Sequence, residues 1–522
     1  MVGTAVSPAK AAHPKPTLHV ECCTNQPESL PRTKLADKVE RWLRKHYVTV
    51  KLEQTFPSQD EFHKLADINF ITIADLTTSK DLESHNDIHL PAVNINVDVF
   101  ELHGDEDLIE PSEATRTRIA QDAADDVPRP QARIMNLPNK NLHGVWDSLI
   151  FEDLVQFRLL KFIIRMISFS ARQPRQHAPS WSKFLLFYGP PGTGKTSLCR
   201  ALAQKLSIRL GKTFPHCKLV EFDAHSMFSQ YFGESGKVVG QVFDMIESML
   251  NEDNNTMICV FLDEIESLAV KRQYSGSFNE PQDSMRAVNA LLIALDRLRH
   301  RPNVLVFCTS NSIDAVDSAF LDRIDVKEHI PGPGPRARYE ILRSCYLELA
   351  QCGIIAPIRQ SSEVANFEHS TQEMLLDEDE DELANGWASL GASSPSSSAD
   401  VFYTPFSSPP PPTHSARAPK SQDAIHVVDA TDLPPHPLMM LHFPPDEESL
   451  PRTLWKIAAR STNLSGRTLR RLPLTSLALY ARQDPCPIDD AFRVLSQAVD
   501  NESLRERKDD REEMTMIDYD YC

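Results

Sequence analysis

Glycine is scarce in this chain, 17 residues in 522, where average usage would supply about 37. Lysine and arginine are outnumbered, 55 against 73 Asp and Glu, for a formal charge of −18. Such a balance argues against coating DNA or anionic lipid through bulk charge, because counterion release needs clustered cations. The ten cysteines form no C-x-x-C pair, and several lie inside apolar runs. They read as reduced, mostly buried thiols of a nuclear or cytosolic protein, with the vicinal pair Cys22-Cys23 taken as structural, and not as a zinc site or disulfide framework. No stretch reaches 18 apolar residues, so no membrane span is expected. Met1 to Pro16 has no apolar core of a secretory signal, and no internal repeat is visible.

Proline, by contrast, is abundant, 38 residues against about 26 on average usage. Residues 1–16 read as a disordered lead. Over 17–102 a small α+β domain is expected. Val48, Val50 and Leu52, and again Val93, Ile95, Val97 and Val99, alternate with polar residues as half-buried strands do. Leu35, Val39, Trp42 and Leu43 fall at helical spacing between Thr33 and His46. Residues 103–136 turn acidic and contain proline, which suits a linker.

From about 137 to 334 the rhythm changes. Continuous apolar runs at Phe184–Tyr188, Met257–Leu262 and Val304–Cys308, a shorter one at Leu219–Phe222 and an edge candidate at Val326–Ile330 alternate with helical segments. Strands apolar on both faces between helices imply a parallel α/β sheet. A helical region over 335–510 follows, marked by Tyr339, Leu342, Tyr346 and Leu349 and later by Ile488, Phe492, Leu495 and Val499. It is interrupted over about 360–445. Gln360–Ala416 holds no Lys or Arg but ten acidic residues, and Ser393–Ser398 and Ser407–Pro412 are Ser- and Pro-rich. This insertion reads either as a solvated loop or as a regulated tail, with Ser394-Pro395, Thr404-Pro405 and Ser408-Pro409 open to phosphorylation. Residues 511–522 read as an acidic tail.

The scarce glycines gather in Gly189-Pro190-Pro191-Gly192-Thr193-Gly194-Lys195-Thr196. This fits G-x-x-x-x-G-K-[ST], a pattern that chance places in a chain this long about 2% of the time. An apolar strand precedes it and a helix follows, the context the motif requires. Glycines let backbone N–H groups curl around phosphate oxygens, and the helix start near Lys195 adds its positive end. Lys195 would reach the β- and γ-phosphates of ATP, and the Thr196 hydroxyl would ligate Mg²⁺. Ile258–Glu264 is an apolar strand ending in two carboxylates that point opposite ways. Asp263 suits Mg²⁺ held through water, and Glu264 suits polarising an attacking water. Asn311 ends a third buried strand, where its amide can meet water and γ-phosphate; a turn-closing role is the competing reading.

Phosphate loop, Asp-Glu strand end and strand-end Asn, in this order, resemble the AAA+ ATPases. The resemblance implies a P-loop parallel sheet with a helical small subdomain, and identifies Gly189–Thr196 as Walker A, Asp263 and Glu264 as Walker B, and Asn311 as sensor 1. It implies that Arg323, in Phe320-Leu-Asp-Arg-Ile-Asp325, is the arginine finger acting on a neighbour's nucleotide, against a helix-end ion pair as the plainer reading. It makes Arg467, in Leu464-Ser-Gly-Arg467, the sensor 2 arginine. Tyr231, Phe232 and Gly233 match the pore loop that grips a threaded polypeptide; core packing of the two rings is the alternative. Leu142–Leu149, Thr196–Leu206, Ser226-Met-Phe-Ser, Ala319–Arg323 and Leu464–Pro473 narrow the resemblance to the pachytene checkpoint AAA+ ATPases.

That family implies a homohexamer that uses ATP to remodel HORMA-domain proteins of the meiotic axis and spindle checkpoint, docked by the N-terminal domain or through an adaptor. It implies a nuclear, chromosome-associated location that can extend to the nucleolus, with a cytoplasmic share, and no direct base-sequence reading and no membrane. The His143–Trp146 stretch would border the adenine. Another AAA+ unfolding or disassembly machine and an ATP-binding oligomeric scaffold remain the competing functions.

Overall fold

A computed structural model describes residues 15–25, 31–57, 68–77, 87–104, 132–172, 183–223, 235–253, 255–267, 281–299, 301–356, 433–445 and 449–519. Two compact units emerge. One comprises residues 1–337 with 463–468, and the other 338–462 with 469–522.

The first unit opens with a mixed four-stranded sheet. β1 (Thr17–Thr24) lies between β4 (Ile68–Leu76), antiparallel, and β6 (Asn94–Phe100), parallel, and β3 (Thr55–Pro57) flanks β4. Helix α1 (Arg32–His46) places Leu35, Val39 and Leu43 at four-residue spacing, and all three are buried in one core with Leu18, Val20, Ile71 and Ile73. The first of the two alternating runs is shorter than expected. Only Thr49–Lys51 (β2) pairs, with β5 (Asp87–His89), and Val48 is 69% exposed. Cys22 and Cys23 are both buried in β1.

The second sheet of this unit has six strands in the order β12-β8-β11-β10-β9-β7: β7 (Arg133–Leu137), β8 (Phe184–Tyr188), β9 (His216–Asp223), β10 (Thr256–Asp263), β11 (Val304–Ser310) and β12 (Val326–His329). All pair parallel except β7, which runs antiparallel to β9 at the edge. Alternate residues of each strand join different cores. Phe184, Leu186, Val260 and Val306 meet α5 (Ser235–Glu252) and α6 (Pro281–Leu298) on one face. Leu185, Phe187, Phe261 and Phe307 meet α3 (Val155–Arg172) and α4 (Lys195–Arg209) on the other. Helices on both faces are why these strands are apolar at every position. A short helix α2 (Val145–Ser148) precedes α3, and α7 (Ser318–Leu321) precedes β12.

The second unit is helical. It holds most of α8 (Pro335–Gln351), then α9 (His436–His442), α10 (Leu450–Arg460), the greater part of α11 (Gly466–Tyr480) and α12 (Ile488–Tyr519). Tyr346 is buried edge-on to Phe492 at 4.8 Å, and its hydroxyl donates to Ala491 O.

Two expected boundaries move, and a third segment gains structure. The linker over 103–136 is too long by its last residues, because Arg133–Leu137 is a strand of the main sheet. Arg133 and Asn136 hid it, since an edge strand tolerates polar positions that a central one does not. The insertion cannot run to 445, because α9 lies at His436–His442 with Met439 buried. The prolines before it masked a helix start, which proline suits. The expected acidic tail from 511 is helical to Tyr519, consistent with the good helix propensity of Glu, Arg and Met.

Candidate nucleotide-binding site

β8 is buried on both faces and delivers its C-terminal end between those of β11 and β12. The loop 189–194 turns there into α4. Gly189 has φ +144°, and a Cβ on it would lie 2.2 Å from Ile330 O, so the loop begins where only glycine fits. Its N–H donates to Ser310 O at 3.2 Å, tying the loop to the end of β11. The amides from Gly192 to Thr196 meet no protein acceptor among the described residues. They are the free donors of a helix start, the arrangement that binds anions.

Lys195 is 7% exposed. Its Nζ donates to Gly189 O and Pro190 O, each at 2.7 Å, and to Asn311 Oδ1 at 3.0 Å. Burial pulls its pKa below the ordinary lysine value, against the attraction of Glu266 and Asp263. Thr196 Oγ1 lies 3.1 Å from both oxygens of Asp263. Thr309 of β11 donates to Asp263 and accepts from the Glu264 N–H at 3.1 Å, so one hydroxyl fixes both acids. Glu264 stands exposed with φ +54°, a left-handed conformation that is strained for a non-glycine residue.

The structure thus brings Gly189, Pro190, Lys195, Thr196, Asp263 and Asn311 into one network. Arg467 joins from the other side: its N–H donates to Gly192 O at 3.1 Å, and a Cβ on Gly192 would lie 2.7 Å from Ser465 Oγ. Arg323 is not drawn to the loop. It is bidentate on Asp296. Tyr231, Phe232 and Gly233 lie outside the described residues.

In the stretch expected to border the adenine, the His143 ring lies tilted on Phe70 at 5.0 Å, and Trp146 is buried edge-on to Phe157 at 5.5 Å. Leu149 and Phe151 approach the phosphate loop, 3.5 and 3.9 Å from where a Cβ on Gly194 would stand. Trp146 is apolar enough to prefer the core beneath α4. Sequence reasoning also missed Glu266, whose Oε1 accepts from Asn311 N at 3.1 Å and Nδ2 at 2.8 Å. The third carboxylate of Asp263-Glu264-Ile265-Glu266 was the available signal.

The donor set suits a magnesium–nucleoside triphosphate. Hydroxyl and carboxylate oxygens are hard ligands of the kind Mg²⁺ takes, and a buried amine beside free helix-start amides suits phosphate. Among the described residues no group of three or more His, Cys, Asp and Glu could hold a metal, and no helix is long and apolar enough to cross a membrane.

The fold and this site define an AAA ATPase domain, and residues 185–332 match the ATPase family associated with various cellular activities (AAA). Residues 13–105 match the TRIP13 N-terminal domain, and 334–395 with 431–503 match the TRIP13-like AAA+ ATPase lid C-terminal domain. The chain is 49% identical over 220 residues to the pachytene checkpoint protein 2 homolog of Arabidopsis thaliana, covering 42% of this chain and 47% of that one. It therefore spans about half of the plant relative's length. To the Xenopus tropicalis homolog it is 36% identical over 345 residues, 66% of this chain and 77% of that one. The solved structure of C. elegans PCH-2 superposes with a TM-score of 0.62 at 24% identity, covering 93% and 99% of the two chains, which shows a shared fold. The chain belongs to the pachytene checkpoint protein 2 family.

Proposed function

We propose that this chain is the subunit of a homohexameric ATPase that couples ATP hydrolysis to remodelling of HORMA-domain proteins, in control of meiotic recombination and the spindle checkpoint. The observation that carries the ATPase part is the network in which Lys195 meets Asn311 while Thr196 meets Asp263. Family membership supports the client class.

Each residue then has a task. Lys195 and the free amides of the loop hold the phosphates. Thr196 and Asp263 would hold Mg²⁺, which supplies positive charge against the phosphate oxygens. Glu264, exposed at the strand end, accepts a proton from the attacking water, and Asn311 orients that water. Arg467, pinned to Gly192, reports on the bound nucleotide. Arg323 acts on the pocket of a neighbouring subunit. Tyr231 and Phe232, with Gly233 as the pivot, pull on a substrate tail by apolar contact. Residues 17–102 dock the client, directly or through an adaptor, without base-specific contact to nucleic acid, in the nucleus and in part in the cytoplasm.

The test is to incubate the purified protein and ATP with candidate HORMA proteins and to follow their conformational conversion. Conversion that requires ATP and is lost in Glu264→Gln supports the reading. ATP hydrolysis without conversion leaves another AAA+ unfolding or disassembly machine. Phosphate release at background, with nucleotide bound, points to a non-hydrolysing scaffold.

A further inference from the structure

Glu266 lies two residues beyond the acid assigned to water activation, and its carboxylate makes a connection that no role above uses. Oε1 takes two donors from one residue, the backbone N–H and the side-chain Nδ2 of Asn311. The other end of the same amide, Oδ1, accepts from Lys195 Nζ at 3.0 Å. An ammonium only donates and a carboxylate only accepts, so the amide has a single orientation compatible with both neighbours. Glu266 Oε2 is buried and has no hydrogen-bond partner among the described residues. Lys195, for its part, spends its other donors on Gly189 O and Pro190 O.

We infer that Glu266 is a positioning residue for Asn311, holding the sensor amide in one orientation between the carboxylate and the phosphate-loop lysine. The inference rests on the ATPase reading and extends it. Without Glu266 nothing else among the described residues accepts from Asn311 Nδ2, and the amide of this exposed strand-end residue is held only at Oδ1, by Lys195. The carboxylate also anchors the Asn311 backbone, so the strand end and the side chain are fixed together.

The test compares Glu266→Ala, Glu266→Gln, Asn311→Ala and the Glu266→Ala/Asn311→Ala double variant. The readouts are turnover, Mg²⁺-free affinity for a fluorescent ATP analogue, and thermal midpoint. Glu266→Ala is expected to lower kcat by about 10- to 100-fold, the scale of losing an outer-shell partner that orients a group at the site, with nucleotide affinity within about twofold of wild type. Glu266→Gln, whose amide oxygen can still accept from Asn311, is expected to recover most of the rate. In the Asn311→Ala background, Glu266→Ala is expected to add nothing.

Multiplying losses in the double variant, or an unchanged rate in Glu266→Ala, overturns the inference. If Glu266→Ala lowers the thermal midpoint and the analogue affinity together and Glu266→Gln fails to restore the rate, the residue is structural and the inference also falls. A wild-type protein that releases no phosphate would sink the ATPase reading instead, so the two failures are distinguishable.

Discussion

Arg323 Nε and Nη2 each lie 2.9 Å from an oxygen of Asp296, and Nη1 donates to Ala319 O at 2.8 Å. Within one chain the guanidinium is fully engaged away from its own phosphate loop, and the adjacent carboxylate raises its pKa further. The side chains are 27% and 47% exposed, so the pair contributes only about 0.2–1 kcal/mol. In the proposed hexamer, a phosphate group presented by a neighbouring subunit can compete with it. A trans-acting arginine makes a specific prediction. Arg323→Ala and Glu264→Gln should each be nearly inactive alone, yet equimolar mixing should restore a measurable fraction of turnover, because some interfaces then pair an intact Glu264 with an intact Arg323. Phosphate release from the mixture no greater than the mean of the two variants would rule out action in trans.

Gly192 has φ +74°, and its carbonyl accepts from Arg467. An alanine there meets both a disfavoured backbone angle, costing about 1–2 kcal/mol, and Ser465 Oγ at 2.7 Å. The clash falls on a side chain and not on the sheet. Gly192→Ala is therefore expected to weaken nucleotide binding by about tenfold or more while shifting the thermal midpoint by only a few degrees. Isothermal titration and a melting curve together check it, and an unaltered Kd would show that the Ser465–Arg467 segment does not bear on the nucleotide.

Thr309 supplies the one hydroxyl that both donates to Asp263 and accepts from the Glu264 amide. Thr309→Val keeps the shape and removes both bonds, leaving a buried polar group unpaired at a cost of about 1–3 kcal/mol. Turnover should fall and the Mg²⁺ concentration for half-maximal rate should rise, with Thr309→Ser restoring both. A wild-type Mg²⁺ requirement in Thr309→Val would mean that Asp263 is held by other means.

The legible parts of the sequence were those whose signal is local. Phe184–Tyr188, Val304–Cys308 and the run before Asp263 announce central strands because helices cover both their faces and leave no polar positions. The phosphate loop is legible because glycine is needed at three positions of one turn, Gly189, Gly192 and Gly194, each with positive φ. Arg133–Leu137 was not, since it pairs with a neighbour on one side only and carries Arg and Asn. The partner of Arg323 is 27 residues upstream and that of Gly192 lies in the segment around Arg467; neither separation leaves a periodic trace. Glu266 was visible as a residue but not as a contact, because strand and turn geometry decide which of three nearby acids faces Asn311.

Lys183, just before β8, offers a pH test independent of the nucleotide. It is 5% exposed, its Nζ donates to Pro302 O, and burial lowers its pKa from 10.5 to about 8. The unfolded chain holds this proton more tightly than the folded one. The penalty is thus fully present below about pH 8 and fades as pH rises towards 10.5. Lys183→Met removes it and should stabilise the protein by about 1–3 kcal/mol at pH 7, an advantage that shrinks steadily between pH 8 and 10. Buried thiols act oppositely in that range. Burial raises Cys22 to about 12 and Cys23 to about 11, so their contribution is lost as the unfolded thiols ionise near pH 9. Both proteins share those thiols, and the difference between variant and wild type isolates the lysine. Denaturant melts of the two at pH 7, 8, 9 and 10 supply that difference, and an advantage that stays constant across the series would show that the lysine keeps its proton in the fold.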